Sequence, residues 1–303
     1  MINPVKRFPV QGWIGLGLIA IFWTLNWTLN GLRTQWAFFP LWLGYCLTID
    51  GLVLWRTGTS LLVRNWKKYI GLFIVSSLVW WLFELANWRL QNWQYVGAEA
   101  FSPLQFWFWA TINFTTVIPA VFGSAELMRS FLPKVVKGPI IRPTKATTIG
   151  FFLTGWMMLA LMAAWPRIFF AFVWISLYFI LEPINIWLGN RSSRAPSGNR
   201  DYPAGTGTTS LAEWTKGGNW QPVVALWLGV LLTAFFWEMW NYLSYPKWIY
   251  HVPWGSWFHI FEMPLLGYGG YLPFALELFA MYHLLAGLFG HKKTDYVMRS
   301  PEG

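Results

Sequence analysis

Eight runs of mostly apolar residues, each long enough to cross a lipid bilayer as a helix, divide this chain of 303 residues. A spanning helix needs about 20 largely apolar residues, because the hydrocarbon core of a bilayer is about 30 Å thick. Only 11% of the residues are charged, whereas a soluble domain carries about a quarter. We therefore predict an all-α, polytopic membrane helical bundle. The predicted spans are residues 12–29, 38–55, 69–88, 104–128, 148–165, 168–187, 222–242 and 257–285.

The last predicted span lies in an aromatic-rich stretch that also contains helix-breaking residues. It is interrupted by Pro264, Gly267, Gly269, Gly270 and Pro273. Proline removes a backbone donor and glycine weakens a helix, so we expect this span to break or kink.

The basic residues indicate how the spans are oriented. With eight spans, one side of the membrane receives 18 of the 22 Lys and Arg residues, and the other side receives Arg33, Arg89, Arg167 and Lys247. Cytoplasmic loops of membrane proteins retain Lys and Arg. We therefore predict that both termini are cytoplasmic and that the membrane is the cytoplasmic membrane of a prokaryote. Because these loops account for the net charge of +10, the expected partner is the lipid bilayer and not nucleic acid.

The longest polar connection covers residues 189–219 and is rich in Gly, Ser, Asn and Pro. This composition is typical of a flexible linker or lid, here on the cytoplasmic side. Its G-T-G-T-T-S segment lacks the lysine and the preceding strand of a phosphate-binding loop. We therefore do not expect nucleotide binding.

The two halves of the chain carry the same succession of short motifs, which indicates an internal repeat. E-L-A-N at residues 84–87 is followed by W-x-Y at 93–95, and E-M-W-N at 238–241 is followed by W-x-Y at 248–250. T-G-T-S-L from Thr57 matches T-G-T-T-S-L from Thr206. We predict two four-helix repeats, residues 1–145 and 146–303. An even number of spans in each makes the repeats parallel, with a pseudo-twofold axis along the membrane normal.

Acidic residues inside the apolar runs are the strongest functional signal. A carboxylate at mid-membrane costs about 2.5 to 3.5 kcal/mol on insertion scales, so such residues face a bundle interior or a wet cavity. No Lys or Arg accompanies them inside the spans. We therefore expect these acids to be protonated, hydrogen-bonded to neighbours or occupied by a cation. The repeat pairs Asp50 with Glu182, Glu84 with Glu238, and Glu126 with Glu277.

Asparagines stand three residues after several of these acids. Asn87 follows Glu84 and Asn241 follows Glu238, a spacing that places both side chains on one helix face. Asn can donate to a carboxylate or accept from a carboxylic acid, so we expect it to hold either form. Two interpretations stay open: clamps between helices, or functional acids at Glu84 and Glu238. The clamp is favoured for the acids nearer the cytoplasmic face, Asp50, Glu126 and Glu182.

Aromatic residues within the spans indicate a cavity for an apolar molecule. The chain contains 25 Trp and 25 Phe, and those at span ends form the interfacial belt expected of a membrane protein. Those inside the spans either pack or line a cavity, where their faces can stabilise a carbocation. We predict a ligand pocket that includes Glu262, Glu277, Trp81, Trp237, Trp240 and Asn113.

The histidines give a weaker signal. His251 and His259 lie near Glu262 at the outer interface, but their spacing does not match a standard zinc site. We therefore expect no metal and no other cofactor.

The duplicated design, the acids near prolines, the interior Trp residues and the E-x-x-N motif followed by W-x-Y resemble the small integral-membrane lycopene cyclases. The two homologous halves of that family are separate or fused. The resemblance implies an acid that protonates a polyene double bond and a cation that then collapses to a ring. The family's hallmark, adjacent acids linked to a proline, is not matched, since Pro273 precedes Glu277 alone and Pro119 lies seven residues before Glu126. No catalytic residue follows from the resemblance.

These observations predict a membrane protein that binds an isoprenoid- or lipid-like molecule between its two repeats. As an enzyme it would be a cofactor-independent acid–base cyclase or isomerase, with Glu84 and Glu238 donating and removing protons. Two alternatives use the same residues differently. One is a transporter coupled to protons or cations, and the other is a non-catalytic subunit of a membrane complex.

Overall fold

The computed structural model describes residues 7–192, 210–288 and 296–297. Over these residues the chain is mostly helical, which confirms the predicted all-α class. The helices are α1 (Val10–Thr28), α2 (Thr34–Thr57), α3 (Leu61–Arg64), α4 (Trp66–Leu90), α5 (Pro103–Phe114), α6 (Val117–Arg129), α7 (Lys145–Ala164), α8 (Pro166–Phe169), α9 (Ser176–Ser192), α10 (Ala212–Thr215), α11 (Gln221–Tyr242) and α12 (Tyr268–Leu288). Four short strands are β1 (Trp93–Val96), β2 (Lys247–Tyr250), β3 (His259–Ile260) and β4 (Met263–Pro264).

The long helices make this an integral membrane protein. Within the described residues, seven segments are long and apolar enough to cross a membrane, with α5 and α6 together forming one of them. An eighth span is formed if Pro166–Trp174 and Ser176–Gly189 are counted as one helix bent by 41°. These segments correspond to the eight predicted apolar runs. Residues 193–209 of the expected linker lie outside the described residues.

The last span differs from the prediction. It does not begin at Trp257, because β3 and β4 pair antiparallel and Leu265–Gly267 form a 3-10 turn. α12 then continues unbroken from Tyr268 to Leu288 with Pro273 inside it, so the predicted run is interrupted before Tyr268 and not within the helix. Pro264 and Gly267 precede the helix. Gly269, Gly270 and Pro273 lie in its first two turns, where the missing N–H of Pro273 removes a single helical hydrogen bond.

The helices approach one another closely where small residues meet. A Cβ atom added at Gly15 of α1 would lie 2.5 Å from the backbone nitrogen of Thr48 in α2, and one added at Gly229 of α11 would lie 2.4 Å from the backbone nitrogen of Ala125 in α6. Such contacts are typical of membrane helices, whose association depends on van der Waals packing. Larger side chains at these glycines would push the helices apart.

Polar side chains link α2, α6 and α11 at the centre of the bundle. The hydroxyls of Tyr45 and Ser124 lie 2.7 Å apart, and Thr233 donates to Ser124 at 3.1 Å. Hydroxyls that bond across helices in this way stabilise membrane bundles. α1 packs on α2, α4 on α6, and α12 on α11, whereas α9 packs on α12 and α7 packs on α9.

One pair of strands joins the first half of the chain to the second. β1 pairs antiparallel with β2, and Gln94 stands opposite Ile249. Trp93 pairs with Tyr250, and Tyr95 pairs with Trp248. The two W-x-Y motifs thus face each other in reverse order, which is the arrangement that a local twofold axis produces. The division into repeats at residue 145 stays a prediction.

Candidate functional site

The asparagines of the two E-x-x-N motifs have the same contacts. Asn87 donates to the carbonyl of Trp93 at 2.9 Å and accepts the N–H of Asn92 at 2.8 Å. Asn241 both donates to the carbonyl of Trp248, at 2.7 Å, and accepts its N–H, at 3.0 Å. Each asparagine therefore holds the strand that follows its helix. The expectation that it holds the neighbouring carboxyl is wrong, because buried backbone groups beyond the helix end need partners first.

Glu84, in the last third of α4, is surrounded by aromatic donors. Its Oε1 accepts from the indole nitrogens of Trp80 at 3.0 Å and Trp93 at 3.1 Å, and from the hydroxyl of Tyr95 at 2.5 Å. The residue is 5% exposed. Three neutral donors on one oxygen stabilise a buried carboxyl without a basic partner, since hydrogen bonds to an ionised acceptor are the strong ones.

Glu238, in the last two turns of α11, is fully buried. Its Oε1 accepts from the hydroxyls of Tyr250 at 2.8 Å and Tyr271 at 2.6 Å. The indole of Trp248 donates to the Tyr250 oxygen at 3.0 Å and so aligns that phenol. Oε2 has no hydrogen-bond partner among the described residues. The carboxyl of Glu238 is therefore less completely bonded than that of Glu84.

The donors of both glutamates line one cavity of about 460 Å³. This volume is typical of small-molecule sites, which measure about 300 to 1,000 Å³. Glu84 and Glu238 are not in the wall themselves, so each reaches the cavity only through the side chains that bond to it. These wall residues are Trp80, Trp93 and Tyr95 for Glu84, and Tyr250 and Tyr271 for Glu238.

Stacked rings from distant parts of the chain form much of the wall. The ring of Trp174 stacks on Phe83 at a centroid distance of 5.7 Å and on Trp93 at 5.8 Å. Trp237 stacks on Tyr271 at 6.1 Å. The rings of the wall therefore come from residues on both sides of position 145.

The phenols of β1 and β2 are held in their neutral form. Burial, and then the nearby Glu84 carboxyl, raises the pKa of Tyr95 well above the usual phenol range. Burial and Glu238 raise the pKa of Tyr250 in the same way. A neutral phenol retains its hydrogen, so both hydroxyls remain donors at every physiological pH.

Some of the predicted pocket residues lie at the cavity and others do not. Trp237 and Asn113 are in the wall, and the Asn113 Oδ1 atom has no hydrogen-bond partner among the described residues. Trp240 packs in the helix core instead, with its ring 5.1 Å from that of Trp42. Trp81 is outside the wall and donates its indole hydrogen to a threonine of α5 at 3.1 Å.

Glu262 contacts the cavity only through a base. It forms an ion pair with Lys247, which is the one charged side chain among the described residues of the wall. His251 and His259 do not join it, because no group of three His, Cys, Asp or Glu side chains in the described part of the chain is placed to hold a metal ion.

Three other buried acids bind the first N–H groups of helices. Glu277 Oε1 accepts the N–H of Leu177 at 2.9 Å, at the start of α9 and directly after the bend in that span. Asp50 and Glu182 do the same for α3 and α10, at 3.0 and 3.1 Å. Free N–H groups and the helix dipole favour a carboxylate there. Glu277 is not in the cavity wall, and its contact supports a structural role.

Glu126 differs from these acids because it has a basic partner. Arg64 of the short helix α3 forms an ion pair with it. The expectation that no base accompanies the buried acids is therefore wrong for Glu126. The sequence does not reveal this pair, because Arg64 belongs to a short helix between two spans and meets Glu126 only in the folded protein.

The wall residues that the sequence analysis did not predict include Tyr95, Tyr250, Tyr271 and Asn92. The first two had a signal, since a tyrosine follows each motif glutamate at a similar distance. Tyr271 comes from α12 and reaches Glu238 only in the folded protein, so no local pattern indicates it.

A scan against models of known protein families, a search of curated proteins and a search of solved structures find nothing that matches this chain.

Proposed function

We propose that this protein binds an isoprenoid- or lipid-like molecule in the aromatic cavity and catalyses its acid–base isomerisation or cyclisation. One observation carries the proposal: two buried carboxyl groups, from Glu84 and Glu238, bond to side chains in the wall of the same cavity. Buried carboxyl groups near a pocket are typical of sites that transfer protons.

The wall supports binding of a molecule that dissolves in the bilayer. Such a molecule gains little by leaving lipid for another apolar environment, so shape and ring contacts have to select it. The stacked rings around Trp174 and Trp237 provide flat faces, which suit a polyene or a fused ring and attract developing positive charge.

The proton balance of such a reaction matches two acid sites. One carbon of the ligand gains a proton and another carbon loses one, so nothing is oxidised or reduced. The Tyr250 or Tyr271 hydroxyl gives its proton to the ligand, and a protonated Glu238 replaces it. Tyr95 stands between the ligand and Glu84, which accepts the proton that is removed. Exchange with water then restores both glutamates.

This scheme agrees with the chemistry that the resemblance to lycopene cyclases implies. A polyene takes up a proton, and the resulting cation closes a ring or shifts a double bond before it loses a proton. The phenol and indole faces of the wall stabilise that cation, while the low polarity of the cavity keeps water from attacking it.

Deuterium uptake tests the proposal. The protein is purified in nanodiscs, its bound apolar molecules are extracted for mass spectrometry, and the same molecules are then incubated with the protein in D2O. Wild type should introduce deuterium at carbon, while Glu238→Gln should retain the ligand and lose the uptake. Glu182→Gln is the matched control, because its buried carboxyl caps α10 away from the wall. Failure to bind any apolar molecule overturns the proposal, and binding without uptake in wild type overturns its catalytic part.

A further inference from the structure

We infer that the ligand carries one uncharged polar group, a hydroxyl or a carbonyl, and that Asn92 and Asn113 bind this group. This ligand class rests on the proposed function and narrows it. It excludes a pure hydrocarbon and a charged lipid, and leaves a neutral amphiphile with an apolar body.

Asn92 provides the main observation. It lies in the cavity wall and is 3% exposed, yet neither its Oδ1 nor its Nδ2 has a hydrogen-bond partner among the described residues. Its backbone is held firmly, because its N–H donates to Asn87 at 2.8 Å and its carbonyl accepts from His251 at 2.7 Å. The backbone hydrogen bonds of Asn92 therefore hold the residue at the cavity, while its side-chain amide makes no hydrogen bond among the described residues.

Asn113 adds a second amide to the same wall from α5. Its Oδ1 is also buried without a partner among the described residues. A buried polar atom without a hydrogen bond is costly, and native proteins retain few of them. A ligand group that donates to one amide oxygen or accepts from an amide N–H would remove that cost.

Other buried asparagines show that this chain can satisfy an amide when its role is structural. Asn87 and Asn241 each use both amide atoms, at 2.7 to 3.0 Å. Neither asparagine lines the cavity, and each holds the strand that follows its helix, β1 or β2. Asn92 and Asn113, by contrast, have buried amide atoms without a partner among the described residues, and both line the cavity, which indicates that their partner comes from within it.

The charges around the cavity favour a neutral polar group. Lys247 is paired with Glu262, so the described wall offers no free base for a phosphate or a carboxylate. Glu84 and Glu238 stand behind the wall and disfavour an anion further. The tyrosine hydroxyls are already hydrogen-bonded to these glutamates. The amides of Asn92 and Asn113 are neutral wall groups with buried atoms that have no partner among the described residues.

Competition binding tests this ligand class. Radiolabelled geranylgeraniol is bound to the protein in nanodiscs, with empty nanodiscs used to subtract partition into lipid. The competitors are unlabelled geranylgeraniol, the C20 hydrocarbon of the same skeleton, and geranylgeranyl phosphate. Wild type should prefer the alcohol over both competitors by about tenfold or more, since one hydrogen bond that is made or lost changes affinity on that order.

Leucine substitutions identify the groups responsible. Asn92→Leu and Asn113→Leu should each weaken alcohol binding about tenfold and leave the affinity for the hydrocarbon within about twofold. Both variants should melt at or above the wild-type temperature, because no protein hydrogen bond is lost. Asn87→Leu is the matched control, since it removes an amide that is fully bonded and should melt lower.

Each contrary result has a definite meaning. A wild type that binds the hydrocarbon as tightly as the alcohol, or variants that lower both affinities equally, overturn the neutral amphiphile and leave the proposed function in place. Equal competition by the phosphate overturns the requirement for an uncharged group. If no isoprenoid probe binds to wild type, this ligand class fails together with the isoprenoid part of the proposed function, and the extraction of bound apolar molecules then decides whether a lipid-like ligand remains.

Discussion

The Glu84 and Glu238 sites have the same scaffold and different carboxyl surroundings. In both, an asparagine three residues later holds a strand, and the two strands pair with each other. Glu84, however, accepts from two indoles and one phenol. Glu238 accepts from two phenols and has one oxygen without a partner among the described residues.

This difference gives the two glutamates different capacities to exchange protons with the cavity. An indole N–H donates but does not exchange its proton at physiological pH, whereas a phenol can pass a proton on. Glu84, with its indole donors, is suited to a fixed charge state or to slow proton acceptance. Glu238 reaches the cavity only through exchangeable hydroxyls. We therefore expect Glu238 to be the more active partner, and the following predictions test that asymmetry.

Glutamine at each glutamate should show the asymmetry most strongly. Glu238→Gln should lower turnover, measured as deuterium uptake by the ligand, by about 10²- to 10⁴-fold, the range typical of a lost general acid or base. Glu84→Gln, which removes the slower proton acceptor, should lower it by about 10²-fold, the lower end of that range. Equal losses would show that the two acids have equivalent roles, and a larger loss at Glu84 would reverse the assignment.

Substitution of Asn87 or Asn241 by leucine should lower stability equally, because both asparagines hold a strand in the same way. Asn87→Leu and Asn241→Leu each leave a buried carbonyl and a buried N–H without their partner, which costs about 3 kcal/mol of unfolding free energy. Unfolding in mixed micelles measures both variants. A cost at only one asparagine would mean that only one strand depends on its motif for stability.

The spans were predictable because a membrane helix is specified by local composition. Apolar runs such as α2 and α11 need only length and hydropathy to be recognised, and the structure begins and ends them within a few residues of the prediction. The start of α12 was missed because Pro264 and Gly267 lie before the helix, in a short strand and a 3-10 turn. Such short elements leave no hydrophobic periodicity in the sequence. The bend at Ile175 was missed because Glu277, 102 residues later in the sequence, binds the N–H groups that the bend releases.

The site was less predictable because its contacts are tertiary. The i, i+3 spacing of Glu238 and Asn241 suggested a direct bond, yet the carboxyl bonds to Tyr250 and Tyr271 instead. Only the register between β1 and β2 brings the two motifs to one cavity. Distances along the chain carry no information about that register.

Single phenol deletions should give a smaller difference between the sites. Tyr271→Phe leaves Glu238 with one donor, while Tyr95→Phe leaves Glu84 with two indoles. A hydrogen bond to a charged group is worth about 1.5 to 3 kcal/mol and a neutral one about 0.5 to 1.5 kcal/mol. In the proposed scheme Glu84 is ionised and Glu238 is protonated, so we expect a loss of about 2 kcal/mol at Tyr95 and about 1 kcal/mol at Tyr271. Unfolding free energies measured at neutral pH check the order, and a greater loss at Tyr271 would contradict it.

High pH should produce the smallest effect, and it should be equal at the two strands. The pKa values of Tyr95 and Tyr250 are both raised by burial, so the folded protein keeps these protons while an unfolded phenol begins to ionise near pH 10. The stability from each neutral phenol is complete below that pH and falls as the pH rises, by about 0.8 kcal/mol at pH 10.5. Tyr95→Phe and Tyr250→Phe should each remove the same part of this decline between pH 9 and 10.5. If one variant leaves the decline unchanged, that phenol ionises as readily in the folded protein as in the unfolded chain, and the two strands do not bury their tyrosines equally.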